Sequence, residues 1–134
     1  MCEIINHLKN LTDNLPPVPT LVDLIHDPDN IRSYVEYSVS NGTAIGFGLL
    51  NQPEVAVQKI FISKGSIFPQ HEHDVIEIGV IFAGEVEINV GDTPIRFRVG
   101  DVIKLQKNER HSVKAIDDSW IIAIVIPRDD GYPK

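Results

Sequence analysis

A short helical segment followed by an all-β domain of sandwich or barrel type is the fold class this sequence predicts. Three observations predict it. Apolar residues recur every three to four positions near the start, giving a helical stripe. From Ile31 onward the apolar runs are short and alternate with polar residues at a period of two. Turn-forming Gly, Pro and Asx residues then punctuate the chain with no helical stretch between them.

In the first 30 residues, Ile4, Leu8, Leu11 and Leu15 form the stripe of one short amphipathic helix. Pro16, Pro17 and Pro19 end it, since proline has no N–H to donate and restricts the residue before it. Thr20, three residues before Asp23, resembles a capping box and starts a second short helix through Leu21, Leu24 and Ile25. The helical extension is therefore assigned to residues 1–30 and the β domain to residues 31–134.

Within the β domain the turn signals are Ser40-Asn41-Gly42, Asn51-Gln52-Pro53, Lys64-Gly65-Ser66, Ala83-Gly84, Val90-Gly91-Asp92 and Val99-Gly100-Asp101. Val86, Ile88 and Val90 alternate with Glu85, Glu87 and Asn89; Ile95, Phe97 and Val99 alternate with Arg96 and Arg98. Gly91-Asp92-Thr93-Pro94 between them reads as a hairpin turn. The run Ile121 to Ile126 is apolar on both parities, which predicts a strand buried on both faces. Gln58 and Lys59 lie on a strand whose parity lets only one of them face inward.

The chain has 134 residues, enough for one core, with 43% hydrophobic and 23% charged residues, as in an ordinary globular domain. Nineteen acidic against 12 basic side chains give a formal charge of −7. That balance argues against nucleic-acid and anionic-membrane partners. Cys2 is the only cysteine, so no intrachain disulfide forms. The start lacks the cationic and apolar regions of a signal peptide, and the apolar run from Trp120 to Pro127 is too short to span a bilayer. A cytoplasmic location is the expectation.

The chemistry-bearing stretch runs from Gly65 to His111. His71 and His73 stand two residues apart, a spacing that aims both rings the same way on a strand. Glu77 follows four residues after His73, on the same parity if the strand resumes after a bend, and His111 comes from a separate segment after Gln106-Lys107-Asn108-Glu109. Three imidazoles and a carboxylate suit one divalent ion: Fe, Mn, Ni, Cu or Zn. Neutral histidines and one carboxylate leave such an ion a net charge of about +1. Four protein donors around an octahedral ion leave two positions for substrate, water or dioxygen. No nucleophile elbow, Ser-His-Asp order or phosphate-binding glycine loop is present.

Gly65, five residues, His71, one residue, His73, three residues, Glu77, six residues, Gly84 resembles the first motif of the cupin superfamily. Gly100 with Asp101, and His111 ten residues beyond, resembles the second. The step from Gly84 to Gly100 matches the compact gap of small microbial cupins. The resemblance covers a little over a third of the chain. It implies a cupin-type double-stranded β-helix, or jelly-roll barrel, with His71, His73, Glu77 and His111 as metal ligands. Gln106, Asn108 and Ala115 depart from the proline, glycine and asparagine usual in the second motif. Asn108 tolerates the left-handed turn conformation, so that exchange is mild.

The resemblance further implies a metal-dependent enzyme on a small organic substrate, dioxygenase-like ahead of isomerase-like, and a homodimer. The competing readings are a non-catalytic barrel that binds or senses a small molecule, and a closed structural zinc site, which His/Glu donors suit poorly. No residue is assigned a catalytic role. Arg96 and Arg98 could clamp a carboxylate at the barrel mouth, although pairing with Glu85 and Glu87 on a wet strand face is the simpler expectation. Phe61, Phe68, Phe82 and Trp120 are expected in the core, and His7 and His26 at the surface.

Overall fold

The computed structural model describes residues 33–128. The helices expected within residues 1–30 lie outside them, as do Cys2, His7 and His26. The described residues form ten strands: β1 (Ser33–Tyr37), β2 (Ala44–Gln52), β3 (Val55–Ile62), β4 (Ile67–His71), β5 (Ile76–Ala83), β6 (Glu85–Val90), β7 (Thr93–Arg98), β8 (Val102–Leu105), β9 (His111–Ala115) and β10 (Ser119–Ile126). A six-stranded sheet runs in the order β1-β2-β3-β10-β5-β8, and a four-stranded sheet in the order β4-β9-β6-β7. Every pairing is antiparallel. This is the jelly roll that the sequence predicts. Among the described residues no helix is long and apolar enough to cross a membrane.

Side-chain parity explains the core. Ile60 and Ile62 of β3, Ile81 of β5, Ile103 and Leu105 of β8, and Ile121 and Ala123 of β10 point inward from the larger sheet. Val86, Ile88 and Ala115 meet them from the smaller one. Each fully buried isoleucine or leucine contributes about 1.5–3 kcal/mol relative to an exposed one. β-branched residues also suit the extended backbone, so propensity and burial favour the same strands.

The hairpin predicted at Gly91-Asp92-Thr93-Pro94 forms with a shorter turn, Gly91-Asp92, because Thr93 and Pro94 already pair with Val90 and Asn89 in β7; Gly91 takes φ +61°. Gly65, Gly84 and Gly100 likewise take positive φ at turns. Two expectations need correction. β10 is central but not fully buried on both faces: Ser119, Ile121, Ala123 and Val125 are buried, whereas Trp120, Ile122 and Ile124 are half-buried. β7 edges the smaller sheet, so Ile95 stays 43% exposed although its alternation suggested an inward face.

The choice between Gln58 and Lys59 is settled. Gln58 faces the barrel interior opposite Ala123, while Lys59 lies on the outward parity with its ammonium 5.9 Å from the Phe47 ring centre. Trp120 packs against Phe47, Phe61 and Phe82 on that same outward side. These aromatics thus join one cluster rather than the inner core. Phe68 separates from them and lines the interior cavity.

Candidate metal centre

The three histidines reach one place by three routes. His71 is the last residue of β4 and stands directly opposite His111, the first residue of β9. A register irregularity between Phe68 and His71 turns that end of β4. His73 lies just beyond the strand, in the connection that carries the chain from the smaller sheet to β5 of the larger. The expectation of two rings on one strand is therefore corrected: only His71 is on the strand, and the bend supplies His73.

Ligand nitrogens of His71, His73 and His111 lie within 4.8 Å of one another. The His71 and His111 rings meet edge to face at 4.2 Å, and His71 and His73 at 4.8 Å. Nitrogens about 2.1 Å from a shared ion lie at most about 4.2 Å apart, so a bound ion would require the cluster to draw closer than it stands here. Glu77, inward on β5, places Oε2 3.8 Å from Nε2 of His73. It borders the cluster without belonging to the close group of three.

The hydrogen bonding fits a metal. Nδ1 of His71 lies 2.7 Å from the carbonyl oxygen of Pro69, and Nδ1 of His111 lies 2.8 Å from that of Glu109. A carbonyl only accepts, so both rings carry their proton on Nδ1 and leave Nε2 with a free lone pair. The same device occurs twice, each ring anchored two residues upstream. His111 is only 3% exposed. Burial holds its pKa below the ordinary value, with the His71 and His73 imidazoles adding to the effect against the opposing Glu109 carbonyl. A neutral imidazole is the form that ligates a cation.

The cluster opens into an interior cavity of about 390 Å³. Its walls are mostly aliphatic, with Ile60, Ile103, Ile121 and Val113 among them. Polar groups enter at Tyr37, Ser38 and Gln58. Arg96 and Arg98 are elsewhere: Arg98 pairs with Glu85 at 3.1 Å and Arg96 with Glu87 at 3.4 Å, each across the β6–β7 hairpin. The carboxylate clamp is thus not formed by these arginines. No motif or spacing in the sequence singles out Tyr37. Its ring packs on Phe68 at 5.6 Å and its hydroxyl donates to Oε1 of Gln58 at 2.8 Å. No local spacing reveals this pair, because β1 and β3 are brought together only by β2.

The comparisons agree with this picture. The family model described as "Cupin domain" matches residues 60–127, half of the chain. The chain belongs to the cupin family. It is similar to the solved structure of KdgF from Halomonas sp., with a TM-score of 0.64 and 21% identity over 72% of this chain and 90% of that one. It is also similar to an RmlC-like cupin from Shewanella frigidimarina, with a TM-score of 0.65 and 18% identity over 74% and 87% of the two chains. A predicted oxalate decarboxylase from Thermotoga maritima gives a TM-score of 0.64 and 21% identity over 75% and 96%. At these identities the likeness is one of fold. No curated protein matches the chain in sequence. This is a cupin domain whose His71, His73 and His111 could hold a metal ion.

Proposed function

We propose that this chain is a metal-dependent enzyme acting on a small organic substrate, with His71, His73, His111 and Glu77 as ligands of one divalent ion. The observation that carries the reading is the three-imidazole cluster opening on a mostly aliphatic cavity. A bound ion would supply Lewis acidity and open positions for substrate or dioxygen. The protein's own part is to hold two imidazoles by their Nδ1 protons, to keep His111 neutral by burial, and to offer the substrate aliphatic walls. Oxidation with dioxygen is the favoured chemistry, ahead of isomerisation.

Elemental analysis of the purified protein beside a His73→Ala variant tests the metal. The expected result is about one transition-metal ion per wild-type chain and almost none in the variant. Anaerobic loading with Fe(II), followed by oxygen-uptake measurements across small organic acids and ketones, tests the activity. No uptake with any metal or compound would count against the enzyme. The homodimer and the cytoplasmic location belong to the same proposal. Light scattering on the purified chain checks the first, and a single-chain mass removes it.

The aliphatic walls also suit a barrel that binds a small molecule without transforming it. A compound that survives purification unchanged and raises the melting temperature would favour this second reading.

A further inference from the structure

Gln58 is 2% exposed and lines the cavity. Its Oε1 accepts the Tyr37 hydroxyl proton at 2.8 Å, which leaves the two N–H groups of the amide as donors. Among the described residues, Nε2 of Gln58 has no hydrogen-bond partner. A buried amide N–H without an acceptor is unfavourable, and native structures retain one where water or a ligand completes it.

The surroundings are built for this arrangement. Gly46 on β2 is where the Tyr37 ring and the Gln58 amide meet. A Cβ there would lie 2.8 Å from the Tyr37 ring and closer still to Oε1 of Gln58. Across the larger sheet, Gln58 is in register with Ala123, Ala123 with Gly79, and Gly79 with Ile103. The two small residues in the middle of that row leave a floor over which a ligand can lie. Gln58 is two strands from Glu77 and two residues along, on the order of 12 Å between Cα atoms at a strand spacing of ~4.8 Å and a rise of ~3.4 Å. Both residues belong to the larger sheet, two strands apart, and both line the same cavity.

We propose that Gln58, held by Tyr37, is a specificity-determining residue that donates to an oxygen acceptor of the substrate, so that the substrate is a compact two-headed molecule. One oxygen-bearing head reaches the histidine cluster, a carbonyl or carboxylate oxygen meets the Gln58 amide, and a short aliphatic stretch between them crosses Gly79 and Ala123. This inference rests on the metal reading above for its first head. The Gln58 end stands on its own geometry.

Nickel-loaded protein, titrated calorimetrically with 4-oxopentanoate and with 4-methylpentanoate, tests it. The two probes have similar shape and share the carboxylate head, and they differ by a ketone oxygen in place of a methyl group. Wild type is expected to bind the keto acid about tenfold more tightly. The Gln58→Leu variant should keep its nickel and bind both equally. In ¹⁵N–¹H spectra of the wild type, the Gln58 side-chain amide signals should move with the keto acid and not with its methyl analogue.

Equal affinities in the wild type, no binding of either acid to the nickel-loaded wild type, or a preference that survives in Gln58→Leu would overturn the inference while leaving the metal site intact. Failure of the wild type to take up nickel would instead remove the metal reading and this one with it. If Gln58→Leu does not fold, the wild-type amide signals decide: no movement with the keto acid overturns the proposal.

Discussion

Asn108 donates its backbone N–H to the carbonyl oxygen of His73 at 2.6 Å. This bond ties the turn before β9 to the bend after β4, so the segment that carries His111 is pinned to the one that carries His73. Lys107 and Asp74 reinforce the tie with an ion pair at 3.1 Å. Asn108 sits at φ +60°, a left-handed conformation that asparagine tolerates and β-branched residues do not. Asn108→Gly is expected to leave stability nearly unchanged. Asn108→Val should cost about 1–2 kcal/mol and weaken metal uptake, as read by urea unfolding and by metal titration.

Glu77 is the donor whose part in the site is least fixed by proximity alone. If it ligates, Glu77→Gln removes an anionic oxygen while keeping the shape of the side chain. Metal affinity should then fall at least about tenfold, by analogy with the loss seen when groups that support a metal site are removed. Competition titration against a chelator measures this. An unchanged affinity would reduce the site to its three imidazoles.

The buried His111 sets a pH dependence. Its folded pKa lies below the ordinary imidazole value of about 6.5, so between the two values the unfolded chain binds more protons than the folded one. Stability therefore rises with pH across that window, is fully present above about 6.5, and is lost as acid carries the pH toward the folded value. Melting temperatures of metal-free protein measured from pH 7.5 down to pH 5 should decline, and His111→Asn should flatten the part of the slope due to this residue.

Two turn glycines should respond unequally to alanine. At Gly84, φ is +80° and a Cβ would run into the Asp118 carbonyl oxygen and the Ser119 side chain, both parts of a tightly bonded corner. Gly84→Ala is expected to destabilise by several kcal/mol, on the order of 3 or more from strain and overpacking together. Gly91 has φ +61° and open space around its missing Cβ, so Gly91→Ala should cost only about 1 kcal/mol. Thermal unfolding of the two variants side by side measures the difference.

Much of this was legible in the sequence because it is local. Period-two alternation found the Val86–Val90 strand and its hairpin partner β7, although β7 starts earlier, at Thr93, and ends before Val99. The His71, His73 and His111 spacing found the three imidazoles that the fold brings together. What was hidden depends on pairing between distant segments. The bend that aims His73, the inward choice of Gln58 over Lys59, and the Tyr37–Gln58 bond are all set by strand register or strand order. Edge position, which leaves Ile95 exposed, is likewise a property of sheet order. Phe68 and Phe61 look alike in sequence, yet one lines the cavity and the other joins the outer cluster.

His71 and His111 belong to the smaller sheet, Glu77 belongs to the larger, and His73 stands on the span between them. An ion gripped by all four would rivet the two halves of the sandwich together at one rim. Stripping it would free that rim to open while the Gly84 corner stays shut. Amide exchange after chelation should accordingly quicken around residues 72–76 and 106–111 before it spreads to β6 or β10.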